Sequence, residues 1–210
     1  MKPLTNPAAD GGRAADACAV AARLGFSDKP AERRWNADRI AKAWAELMRC
    51  LGYSRYIAQG GDWGAVAATR LAQQRPAGLA GIHLNMPLVF PEPIHTDGLS
   101  AAEQRAVDAL KRFQMDGFGY FQLQATRPQT IGYALADSPV RLAAWIYEKF
   151  HAWTDNNDDP ESAITSDEML NIMLYWFTKT AASSARIYFE HAGVGNGDLQ
   201  HWREMTLRSA

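Results

Sequence analysis

One carboxylate in this chain stands where a carboxylate can act as a nucleophile. In the run Tyr56-Ile57-Ala58-Gln59-Gly60-Gly61-Asp62-Trp63-Gly64, an apolar stretch ends in glycine and Asp62 follows. A further glycine, Gly64, then leads into the helical pattern Ala65-Val66-Ala67-Ala68. Small–x–nucleophile–x–small between a strand and a helix is the sequence form of a nucleophile elbow, here with aspartate in the more usual place of serine. Glycines let such a turn be sharp enough to lift the middle side chain clear of the sheet edge. A carboxylate nucleophile suits attack on an alkyl carbon and forms an ester intermediate. The backbone N–H of Trp63 then sits where an elbow supplies one oxyanion donor for ester hydrolysis, while its indole could simply wall a pocket. The residues alone leave a second reading open, in which Asp62 merely caps the following helix.

The elements that must hold this turn can be read on either side. Asn36 is a plausible N-cap, Asp38 lies in a first turn and Gly52 is a stop, which predicts a helix between them. Ile40, Trp44, Leu47, Met48 and Leu51 recur at helical spacing and define its expected buried face. Tyr56-Ile57-Ala58 reads as a short buried strand, Trp63 to Gln74 as a helix stopping before Pro76, and Leu79 to Leu84 as a second strand. Strand–turn–helix–strand implies a parallel pair with a right-handed crossover. From Pro87 to Pro93 the chain is extended, and beyond it the pattern is helical almost to the end. Ser100-Ala101-Ala102-Glu103 and Thr165-Ser166-Asp167-Glu168 read as capping boxes. Thr154 to Pro160 reads as a polar, acidic loop.

Composition narrows the function classes. The chain has 210 residues, 47% of them hydrophobic, with a formal net charge of −1, which gives no electrostatic case for nucleic acid or an anionic membrane. No apolar run reaches eighteen residues and no signal-peptide core opens the chain, so a soluble, cytoplasmic protein is expected. Cys18 and Cys50 have no metal-ligand spacing and fit a reducing compartment.

A series of segments in fixed order carries a broader likeness. Gly25-Phe26-Ser27-Asp28-Lys29-Pro30, the elbow and Leu79-Ala80-Gly81-Ile82-His83-Leu84-Asn85-Met86-Pro87 come first. Gln124-Ala125-Thr126-Arg127-Pro128-Gln129-Thr130, Asp137-Ser138-Pro139 and Glu148-Lys149-Phe150-His151-Ala152-Trp153-Thr154 follow. Met173-Leu174-Tyr175-Trp176 and Thr180-Ala181-Ala182-Ser183-Ser184-Ala185-Arg186-Ile187-Tyr188 complete it. Together they resemble the microsomal-type epoxide hydrolases of the α/β-hydrolase superfamily, from about Gly25 to about Glu190. The resemblance implies an α/β fold: a partial α/β-hydrolase core of parallel strands with a nucleophile elbow (25–90), and an all-helical lid (91–190). Atypical segments flank these at 1–24 and 191–210.

The resemblance also implies roles. Asp62 would open an epoxide to an alkyl-enzyme ester, later hydrolysed to a vicinal diol, a chemistry of detoxification and aromatic-hydrocarbon catabolism. By local motif the two lid tyrosines that donate to the epoxide oxygen fall on Tyr120 and Tyr188. A phenol suits that task because it is neutral near pH 7. The residues alone also allow both to be lid-packing aromatics with the hydroxyl satisfied nearby. The partners are a small-molecule epoxide and water, with no cofactor, no metal, no nucleic acid and no membrane. A haloalkane dehalogenase-like hydrolase also uses an Asp-Trp elbow, with the Trp63 indole holding a departing halide, and a catalytically inactive remnant or binding protein is the alternative from another class.

Two parts of the family pattern have no counterpart. The residues after Tyr188 resemble nothing in the region where the family carries its histidine base and the acid that orients it. His191, His201, Glu190 and Asp198 therefore receive no role, nor do His83, His95 and His151. The His-Gly-x-Pro motif that supplies the other oxyanion donor is absent as well, and residues 1–24 cannot substitute for it. The expectation is a fold truncated at both ends, poorly stable or self-associating, because two or three strands leave unpaired edges.

Overall fold

The computed structural model describes residues 24–88 and 96–192. Most of the two atypical flanking segments, with Cys18, Asp198 and His201, lies outside the described residues, as do Pro91, Pro93 and His95.

Helix α1 (Ala37–Cys50) starts where the Asn36 side chain accepts a hydrogen bond from the Arg39 N–H at 3.1 Å. Asp38 in its first turn and Arg49 in its last both complement the helix dipole. Leu51 follows as the cap, and Gly52 turns the chain away at φ 79°. Ala37, Ile40 and Ala41 are buried, but Leu47 and Leu51 are exposed, contrary to the expected face. The helix buries its first half against the next one, and among the described residues no layer covers that face of its last turns.

Strand β1 (Tyr56–Gly60) pairs in parallel with β2 (Leu79–Leu84), placing Ala58 opposite Ile82 and Gly60 opposite Leu84. Between them runs α2 (Trp63–Gln74), ended by Arg75 in the left-handed region. The two strands form one two-stranded sheet. β1 is not the buried strand expected, since Ile57 is 71% exposed. It alternates instead, with Gly60 buried on the side of α2 and Ile57 on the open side.

Gly60 shows why the elbow sequence is glycine-rich. A Cβ there would lie 2.2 Å from the Gly64 carbonyl oxygen, whereas one at Gly64 would meet nothing within 4 Å. The backbone of β1 thus runs directly against the first turn of α2. Gly60→Ala is expected to destabilise the chain by about 3 kcal/mol in chemical denaturation, because backbone has to move. Gly64→Ala is expected to be neutral or to stabilise by up to about 1 kcal/mol, as a helical glycine replaced in open space.

The rest of the described residues are mainly helical. α3 (Ala101–Arg112) begins with the expected capping box of Ser100 and Glu103 and runs into a π-helical turn at Phe113–Gly117. α4 (Gly119–Thr126), α5 (Pro128–Asp137) and α6 (Pro139–Trp153) follow, the last two opening on proline at a first-turn position where the missing N–H is harmless. After the polar loop and a 3₁₀ turn at Pro160–Ser162 come α7 (Ser166–Met169), with its Thr165–Glu168 capping box, and α8 (Ile172–Phe177). In that loop the buried Asn156 amide donates to the carbonyls of Phe150 and His151, anchoring it to the end of α6.

The last helix among the described residues, α9 (Ala181–Ala192), joins the halves. It packs on α4 and α5, closely enough at Gly132 that a Cβ there would come within 2.8 Å of the Ala182 Cβ. Its Ala181 belongs to a lid core with Leu135 and Leu142. Its Ile187 belongs to a second core with Ile40 of α1 and Ala67 of α2, against which Trp44, Trp63 and Tyr188 pack. Tyr188 is thereby carried from the lid onto the elbow.

Candidate active site

Asp62 occupies the N-cap position of α2, yet its side chain makes no capping hydrogen bond. Its backbone sits at φ 51°, ψ −126°, a left-handed conformation that strains a non-glycine residue. A mere cap needs neither feature, and a nucleophile lifted from a sharp turn needs the second. The residue keeps an open side toward solvent, but the surrounding protein desolvates its carboxyl and raises its pKa. The neighbouring Trp63 backbone N–H partly offsets that rise.

The indole of Trp63, at the first position of α2, is enclosed by lid aromatics. It stacks on Phe121 with ring centroids 6.4 Å apart and meets Tyr188 edgewise at 5.0 Å. His191 also packs against it at 5.0 Å. Trp63 Nε1 is buried and has no hydrogen-bond partner. The Tyr188 oxygen is near enough for the indole to favour its ionised form, but the pair does not reach hydrogen-bond geometry.

Tyr120 lies in the first turn of α4, just after the π-helical turn. Its ring is 5.9 Å from that of Tyr188 and 5.3 Å from that of Trp153, and Lys149 Nζ stands 4.9 Å from its centroid. Burial first, then the neighbouring Tyr188 and Asp62, drive the Tyr120 phenol well above its ordinary value. The Tyr188 phenol is pushed up to about 12 by burial and then by Asp62, against an opposing pull from the Trp63 and Gln124 side chains. Both phenols are therefore protonated at neutral pH and can donate.

The structure thus brings Asp62, Trp63, Tyr120 and Tyr188 into one cluster. Of the described histidines given no role, two fall away from the cluster and one packs against Trp63. His83 is exposed on β2, and His151 Nε2 lies 3.7 Å from Asp158 in the lid. His191 packs against the Trp63 indole, with ring centroids 5.0 Å apart. Glu190 accepts a hydrogen bond from the Arg34 N–H at 2.6 Å. Two further members were not singled out from sequence. Tyr175 on α8 feels the charge of Asp62, and burial raises its phenol as well. Gln124 is a buried amide whose Nε2 donates to the Tyr120 carbonyl at 3.3 Å. Its spacing of four from Tyr120 on one helix was the available signal.

The chain is similar in sequence and fold to several known proteins. The profile of the alpha/beta hydrolase fold matches residues 24–145. A Stigmatella aurantiaca protein named "Putative epoxide hydrolase" is 64% identical over 195 residues, covering 90% of this chain and 44% of that protein. Epoxide hydrolase 1 of Oryctolagus cuniculus is 35% identical, over 85% of this chain and 44% of its own length. The crystal structure of juvenile hormone epoxide hydrolase from the silkworm Bombyx mori superimposes with a TM-score of 0.70 at 32% identity, covering 86% of this chain and 47% of that one. Aspergillus niger epoxide hydrolase matches with a TM-score of 0.69 at 33% identity, over 80% and 43%. The chain spans less than half the length of these relatives.

Proposed function

Since this chain belongs to the alpha/beta hydrolase fold family and carries a helical cap on a partial α/β core, we propose that it is an epoxide hydrolase-like hydrolase that opens epoxides through Asp62. The observation that carries this reading is the meeting of a strained carboxylate with two protonated phenols in one cluster. One Asp62 oxygen attacks a ring carbon and forms an ester bond. The ring C–O bond breaks, its electron pair goes to the oxygen, and Tyr188 or Tyr120 gives that oxygen a proton. The spent tyrosinate is reprotonated by water.

Hydrolysis of the ester places negative charge on an oxygen of Asp62 itself. The Trp63 backbone N–H already favours the charged form of that carboxyl, and it serves as the oxyanion donor. Among the described residues no histidine is assigned as the base for this step, and the proposal for them ends at the alkyl-enzyme ester. Turnover to the diol requires a base in addition.

Only the carboxylate form of Asp62 can attack. Because its pKa is raised, the rate of ester formation should fall with decreasing pH already above the ordinary aspartate range. Single-turnover alkylation by an aryl epoxide, followed by intact mass from pH 4 to 8, tests this. A rate independent of pH through that window would contradict it.

The unpartnered Trp63 Nε1 favours a second reading, haloalkane dehalogenation, in which it would take the departing halide. The paired phenols are superfluous to that chemistry. Release of halide from an alkyl halide, with no adduct from an epoxide, would select it. A third outcome, no reaction with either by demonstrably folded protein, would select an inactive remnant. No helix among the described residues is long and apolar enough to cross a membrane.

A further inference from the structure

The orphan indole N–H lies beside an oxygen whose charge changes in the proposed reaction. We infer that the Trp63 indole is a positioning donor for Tyr188, unpartnered in the resting protein and closing a hydrogen bond on the Tyr188 oxygen as that oxygen passes its proton to the substrate. The inference rests on the epoxide-opening reading and adds an asymmetry between its two proton donors.

Trp63 Nε1 is the sole buried side-chain nitrogen or oxygen among the described residues without a hydrogen bond. A buried donor left unmade is costly, and such exceptions call for a physical reason. The ring is held edge-to-face on Tyr188, centroids 5.0 Å apart at 89°, and by Phe121 on another side. A neutral phenol is a modest acceptor. A phenolate is a strong one, and hydrogen bonds to charged groups are about twice as strong as neutral ones. The N–H therefore gains most when the proton has left Tyr188, which is the condition for stabilising the transition state more than the ground state. Trp63 and Gln124 both favour the ionised form of Tyr188, whereas the influences on Tyr120 all oppose its ionisation. One residue would thus serve both halves of the chemistry, its backbone N–H on Asp62 and its side-chain N–H on Tyr188.

The test is a double-mutant cycle on the rate of covalent capture of a simple aryl epoxide, read by intact mass in single-turnover conditions. Trp63→Phe keeps a ring and the backbone N–H but removes the indole donor. It should lower the maximal rate roughly tenfold, with the half-saturating epoxide concentration little changed. In a Tyr188→Phe background the same change should add nothing, and in a Tyr120→Phe background it should act in full. Replacing Trp63 by its benzothienyl analogue, which keeps the shape and exchanges N–H for sulfur, should reproduce the loss. Equal slowing in both tyrosine backgrounds, or parental rate with the benzothienyl analogue, would overturn the inference. If the parent protein is not captured at all, or Asp62→Asn is captured as fast, the epoxide-opening reading itself fails and the inference with it.

Discussion

Replacing Asp62 by asparagine is expected to abolish covalent capture of an epoxide and, at neutral pH, to make the protein more stable. An amide is no nucleophile toward an alkyl carbon, so the loss of rate should be on the order of a thousandfold or more, down to background. The gain in stability follows from the environment of the carboxyl. Burial raises its pKa in the folded chain, so folding favours the protonated form. Ionisation above the ordinary aspartate value therefore works against folding, and asparagine escapes that penalty. The advantage of the variant should be full near neutral pH and shrink as the pH falls through the raised value toward the ordinary one. Asparagine meets the same backbone strain as aspartate at this position, so the φ of 51° does not separate the two proteins. Thermal melts of the two proteins at pH 7 and pH 4 check the sign. A less stable Asp62→Asn at pH 7 would show that the carboxylate is there to hold the turn.

The tyrosine pair gives the second large effect. Tyr120→Phe and Tyr188→Phe should each slow epoxide capture by about a hundredfold, and the double variant should approach background. Tyr188→Phe should be the more harmful, because Tyr188 has donors beside it that favour the tyrosinate and Tyr120 does not. Neither change removes a ring, so the contacts at 5.0 Å to Trp63 and 5.3 Å to Trp153 survive and the folded state should be nearly unaffected. Single-turnover rates with matched melting curves separate the effects. A large fall in stability without a fall in rate would make both residues packing aromatics. Since both phenols are raised, loss of rate on the alkaline side should begin only well above neutral pH.

Local signals were legible wherever one residue type settles one backbone feature. Asn36, Ser100 and Thr165 cap as their types and spacing require, and Gly60 holds the one position in the elbow where a side chain cannot fit. The exposure of Leu47, Leu51 and Ile57 was not legible, because periodicity states which face is apolar and not what covers it. The site was legible in part. Asp62 and Trp63 are adjacent in sequence, while Tyr120 and Tyr188 were placed by family motif alone. Their convergence depends on α9 packing against α4 and on the small residues Gly132 and Ala182 that let α9 approach α5. Tyr175 and Gln124 reach the cluster through the same packing, which no local pattern encodes.

The most direct measurement is peptide mapping of the protein after incubation with an aryl epoxide. The account predicts a one-to-one adduct, heavier by the mass of the epoxide, on the peptide containing Asp62, and released by mild alkali as an ester should be. An adduct elsewhere, such as on the exposed Cys50 thiol, or no adduct on folded protein, would contradict it.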